Sequence, residues 1–209
     1  MSAPAALRTT LFALVALGSL GVAGYALFAY TLVPLGDLVH PDMKVAFNAN
    51  KLTIYAHVFG AVLALLLGPW QFLPSLRTRC PRLHHVSGRL YLTIGVGVGG
   101  VAGFFAALNA FGGWASQIGF ALLAIAWLFT GVMAFVRIRA GDVAAHRRWM
   151  IRNFALALAA VTLRIQLGLF TLSGIPFESF YPWLAWISWL PNLIVAEWFT
   201  QSATRVPYK

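Results

Sequence analysis

The feature that most constrains this chain is how its cations are distributed among six long apolar runs. Of fifteen lysines and arginines, twelve fall in every other connection: Arg8; then Arg77, Arg79, Arg82 and Arg89; then Arg137, Arg139, Arg147, Arg148 and Arg152; then Arg205 and Lys209. Only Lys44 and Lys51 occupy the alternate connections, and Arg164 lies inside an apolar run. Short cytoplasmic loops retain Lys and Arg during insertion, so the alternation predicts an integral membrane protein with both termini cytoplasmic. Composition agrees. With 60% of 209 residues hydrophobic, 10% charged and a mean hydropathy of +0.80, charges are too few to cover a soluble globule.

The runs define six expected spans: Leu11 to Val33, Leu52 to Leu73, Leu90 to Leu108, Trp114 to Val136, Met150 to Leu172 and Phe180 to Phe199. Each can cross a hydrocarbon core of about 30 Å at about 1.5 Å per residue. The expected fold is therefore an all-α membrane protein, a bundle of six transmembrane helices forming one domain over residues 1–209. Short connections make successive helices antiparallel neighbours, and the bacterial inner membrane is the expected location. The first run is longer than a signal-peptide core of about 7–15 residues and lacks a clear A-x-A exit, so it reads as a retained anchor. Pro34, Pro74, Pro81, Pro176 and Pro182 are expected in connections. Trp70, Trp114, Trp149, Trp183 and Trp198 fall near span ends, where indoles favour the interface. The net charge of +10 lies beside apolar runs, so it suits anionic lipid headgroups and excludes a nucleic-acid partner. The one cysteine, Cys80, provides neither a disulfide framework nor a CxxCH haem attachment.

Orienting the helices produces two polar layers. The second span runs inward, placing His57 about 9 Å below the outer surface, and the fifth runs outward, carrying Arg164 to about the same leaflet. Gln117, near the outer end of the fourth span, joins them if those helices adjoin. An arginine at membrane depth faces protein or water, so Arg164 calls either for an interior polar partner, including helix carbonyls, or for an anionic ligand.

The inner layer holds His84 and His85, expected just before the third span, and His146, just before the fifth. Imidazoles starting two parallel spans meet at one height, the geometry of bis-histidine haem b ligation, with Arg89 and Arg148 placed to pair with propionates. Gly95, Gly99 and Gly103 recur on one face of the third span, which admits a flat cofactor or, more often, another helix. The same histidines and arginines also suit lipid phosphates. Asp142 is the only acid in these inner loops, so a dinuclear carboxylate centre is not expected, and no GxSxG, HExxH, P-loop or GxGxxG motif stands in catalytic context. Glu197, near the inner end of the last span, reads as an arginine-paired or snorkelling carboxylate.

The string from His57 through Gly68-Pro69-Trp70-Gln71-Phe72, the run His84 to Tyr91, and His146 to Arg152 with Arg164 beyond resemble a bacterial multi-pass membrane family catalogued as domain of unknown function 2306. The family pattern has an arginine after the histidine corresponding to His84, where this chain has His85. The outline is also similar to transmembrane b-type cytochromes of the ascorbate-reductase kind, in which paired histidines of a four-helix core hold two haems. Here the fourth span contains no histidine, so His57 lacks an opposing ligand. The leading expectation is electron transfer through one haem b, held by His84 or His85 with His146 and exchanging electrons with a quinone or similar membrane donor. His57 and Arg164 would then bind the quinone or another anionic group. The competing expectation is a non-enzymatic accessory or lipid/quinone-binding subunit that docks a partner helix or a second copy. A transporter is the third, with no inverted repeat or paired broken helices in its favour.

Overall fold

The computed structural model describes residues 5–202, so Arg205 and Lys209 lie outside the described residues. Among the described residues, five helices are long and apolar enough to cross a membrane: Ala6–Thr31, Lys51–Phe72, Pro81–Ala107, Gly113–Arg139 and Val143–Leu172. The chain is thus an all-helical, membrane-embedded protein.

The first crossing is α1 (Ala5–Thr31). The connection after it is not plain loop. Pro41 opens a short helix, α2 (Pro41–Ala49), with Asp42 in its first turn. The second crossing is α3 (Lys51–Leu67), ending in a 3₁₀ turn at Pro69–Phe72, and α4 (Pro74–Arg79) then runs to Cys80.

The third crossing starts earlier than the apolar run suggests. α5 (Pro81–Leu90) begins with Pro81 at its first turn and passes directly into a π-helical stretch, Tyr91–Val98, and then α6 (Gly99–Ala107). His84 and His85 are therefore within the helix, not ahead of it. A missing proline N–H costs nothing in a first turn, so the helix grows outward past the hydrophobic boundary.

The fourth crossing, α7 (Gly113–Arg139), follows a tight turn at Gly112, whose φ of +89° favours glycine. The fifth begins with Asp142, whose carboxylate accepts from Ala145 N at 2.9 Å and caps α8 (Val143–Ala157). His146 is likewise inside its helix. A turn at Leu158 separates α8 from α9 (Ala159–Leu172).

The last apolar run is not one helix but two, α10 (Phe177–Ile187) and α11 (Leu190–Ser202), parted at Ser188–Trp189. Pro191 has no N–H for the Ile187 carbonyl, and Gln166 on α9 fills that place, its Nε2 donating to Ile187 O at 3.1 Å. Pro182, expected in a connection, lies inside α10. Thus the last run is broken in two, and the neighbouring fifth crossing carries a one-residue turn at Leu158, where the sequence offered no paired broken helices.

α3 packs along the π-helical stretch and α6 through the glycine stripe. A Cβ on Gly60 would meet Gly99 Cα at 2.6 Å, Gly95 faces Ala64, and Gly103 faces the His57 ring. The stripe is a helix-packing groove and an imidazole seat. Around the Lys44 end, α1, α3, α6, α7, α10 and α9 form a ring that closes from α9 back to α1. Toward the arginine-rich end, α8 packs on α7 and α11 on α8. There Tyr91, Trp127, Met150, Phe154 and Leu156 fill the interior.

Candidate functional site

The arginine-rich half is stitched by satisfied polar groups. Fully buried Asn153 accepts from Tyr91 Oη at 2.7 Å and donates to Trp127 O at 2.7 Å and Thr130 Oγ1 at 2.9 Å. Arg152 donates through Nε and Nη2 to the two Glu197 carboxylate oxygens, reaches Thr200 Oγ1 at 3.2 Å and stacks 4.8 Å from the Trp149 ring centre. Glu197 is therefore an arginine-paired carboxylate that ties α11 to α8.

The ring at the opposite end encloses a cavity of about 370 Å³. Its mouth carries Asp42, Asn50 and Asn109; its middle carries Tyr30, His57, Arg164 and Tyr181; its floor is Leu123, Ala124, Trp127 and Leu156. Both interruptions border it, through Ala157 and Ala159 on one side and Ser188 on the other. Irregular backbone at membrane depth is tolerated where it lines such a space. The Ser188 hydroxyl is fully buried with no hydrogen bond among the described residues.

His57 and Arg164 come together in this cavity. The His57 Nδ1–H donates to Gly99 O at 2.9 Å, which leaves Nε2 as the free nitrogen. Arg164 donates to Ala160 O at 3.1 Å and lies 5.6 Å from the Tyr25 ring centre. It stands within electrostatic reach of Tyr30, Tyr25 and Tyr181, and His57 within reach of Arg164. No carboxylate pairs with Arg164 among the described residues. One carbonyl and one aromatic face leave most of its five donors unused.

Gln117 does not line this cavity. It is half-buried near the start of α7, whose Phe120, Leu123, Ala124 and Trp127 supply the wall below it. Tyr30 and Tyr181 were not singled out in the sequence. Their signal is weak, because tyrosines near span ends ordinarily read as interfacial anchors.

At the arginine-rich end, His84 is half-buried and within electrostatic reach of His85, Arg77 and His146. The His84 and His85 ring centres are 5.7 Å apart. His146 Nδ1–H donates to Ala134 O at 2.8 Å, leaving Nε2 free, whereas His84 Nδ1 is sealed without a hydrogen bond among the described residues. His85 and Arg89 are exposed and Arg148 is half-buried. A second cavity at this end is lined by Trp70, Gln71, Arg79, Cys80 and Ser87 among others, and by none of the three histidines.

The chain belongs to the DUF2306 family of predicted membrane proteins, whose model matches residues 54–200. The match begins within α3 and ends within α11, and so takes in both polar layers. No curated protein and no solved structure matches the chain.

Proposed function

We propose that the protein is a membrane-embedded binding protein whose cavity takes an amphipathic ligand with an anionic or quinone-type head. It sits in the bacterial inner membrane with the arginine-rich end in the cytoplasm, and α10 with α11 makes a sixth crossing. The observation that carries this reading is Arg164, a guanidinium in a cavity wall about 12 Å below the end of α9, without a carboxylate among the described residues. A charge at that depth is costly unless compensated, so the cavity favours a head that supplies negative charge or strong acceptors. The apolar floor suits a hydrocarbon tail. In nanodiscs, decanoate or decylubiquinone should raise the melting temperature of the wild type saturably, and Arg164→Leu should remove the shift. A wild-type melting temperature indifferent to both probes refutes the reading.

A second reading, one haem b held by His84 and His146, is favoured by the proximity of those side chains and by the His146 Nδ1 bond to Ala134 O. That bond orients Nε2 as histidine ligands are oriented by a carbonyl partner. Haem would supply one-electron chemistry, and the cavity ligand would then be a quinone exchanging electrons with it. Purified protein from haem-replete cells should show a Soret band that shifts on dithionite reduction and disappears in His146→Ala. A colourless preparation refutes this second reading alone.

A further inference from the structure

We infer that the ligand of the cavity carries a single carboxylate, clamped by Arg164 together with the phenol hydroxyls of Tyr30 and Tyr181. The inference rests on the binding role proposed above and narrows its ligand to one chemical class.

Tyr181 is only 9% exposed and lines the cavity. Its hydroxyl makes no hydrogen bond among the described residues, yet keeps open surface and is not sealed by neighbours. Tyr30, across the cavity on α1, has an unbonded hydroxyl of the same kind. Both rings are held in place. Tyr181 packs 4.7 Å from Phe177 and 5.8 Å from Phe111, and Tyr30 stands edge-on to Tyr55 at 6.4 Å. Two fixed O–H donors beside one guanidinium make a site that accepts oxygen and favours negative charge. All three donors open onto the cavity, so a ligand that engages them together gains most.

Charge balance selects among heads. Among the described residues, Arg164 is the only Lys or Arg on the wall, and Asp42 at the mouth is the only carboxylate. A neutral quinone leaves the guanidinium uncompensated, a dianionic phosphate leaves one negative charge over, and an amine adds like charge. A monocarboxylate neutralises Arg164 and offers each phenol a lone pair. Beneath the head, Leu123, Ala124, Trp127 and Leu156 accept a short apolar chain.

The test uses the full chain in nanodiscs, with decanoate, decanol, decyl phosphate and decylubiquinone as probes of its melting temperature. Decanoate should protect at the lowest concentration. Tyr181→Phe, which keeps the ring packing, should raise its half-saturating concentration about tenfold, the effect of losing one hydrogen bond to a charged group. Tyr30→Phe should act likewise, and neither variant should change the response to decanol. The inference is overturned if both variants bind decanoate within twofold of wild type, or if decanol or decyl phosphate matches decanoate. Protection by decylubiquinone without decanoate leaves cavity binding intact and removes the carboxylate assignment. Protection by none of the four removes both.

Discussion

The Gly60–Gly99 crossing carries the cavity, and a graded glycine series tests it. A methyl on Gly60 would sit 2.6 Å from Gly99 Cα and 2.8 Å from Gly99 N, both backbone atoms with no side-chain freedom to yield. Carbon pairs are comfortable at about 3.5 Å, so Gly60→Ala must push α3 from the third crossing by about 1 Å. Overpacking of that kind costs about 1–3 kcal/mol. Gly99→Ala meets Gly60 C and Cα at 3.2 Å, so it needs only about 0.3 Å and should cost less. Gly24→Ala meets nothing within 4 Å and should be neutral or gain up to about 1 kcal/mol from helix propensity. The displacement also reaches function, because His57 lies three residues before Gly60 and donates to Gly99 O at 2.9 Å. Thermal unfolding in a mild detergent, with decanoate titration of each variant, should order Gly60→Ala below Gly99→Ala below Gly24→Ala in stability. Gly60→Ala should lose decanoate protection while still folded. Equal stability across the three, or a Gly60→Ala protein that binds normally, refutes the close-approach argument.

Other measurements probe other links. Asn153→Leu keeps volume but strands the buried Tyr91 Oη and removes the two bonds that tie α8 to α7, so it should cost about 2 kcal/mol or more by unfolding, against about 1 for Tyr91→Phe; the reverse order contradicts the network. Arg152→Gln and Glu197→Gln should each lower stability, and a double-mutant cycle should return a coupling near 1 kcal/mol, reduced by the 38% exposure of the Glu197 side chain. A coupling of zero means the ion pair does not hold α11 to α8. The exposed thiol of Cys80 reports topology without any engineered cysteine: a membrane-impermeant maleimide should label it only after permeabilisation, and labelling in intact spheroplasts overturns the proposed orientation.

Much of the arrangement is legible from residue spacing alone. The fixed rise per residue puts His57 and Arg164 at one depth before any packing is known, and both indeed line one cavity. Helix boundaries were less legible, because hydropathy marks where lipid begins and not where hydrogen bonding ends. Pro81 and Asp142 start helices a turn or more before the apolar runs, which draws His84, His85 and His146 inside them. Pro191 went unused in the reading of the last run as one span, although a proline there marks the break, and nothing local marks the turn at Leu158, which contains neither proline nor glycine. Its place is set by what the two halves pack against: α8 on α7, and α9 on α10 and α1. Gln117 misled because depth alone does not say which way a side chain points.

The polar groups at the two ends of the bundle differ in how far their hydrogen bonds are made. Asn153 is held by Tyr91, Trp127 and Thr130, and Arg152 by Glu197, Thr200 and the Trp149 face. A satisfied polar cluster locks helices together and excludes other partners. Arg164 has one carbonyl and a tyrosine face, beside two phenols and a serine hydroxyl with no hydrogen bonds among the described residues. A guanidinium in a low-dielectric wall without a counter-charge is costly for a purely structural element, and an apolar residue would fill the space at less cost. The cost becomes intelligible when an oxygen-bearing anion completes the set, in a cavity lined by the residues flanking Leu158 and by Ser188.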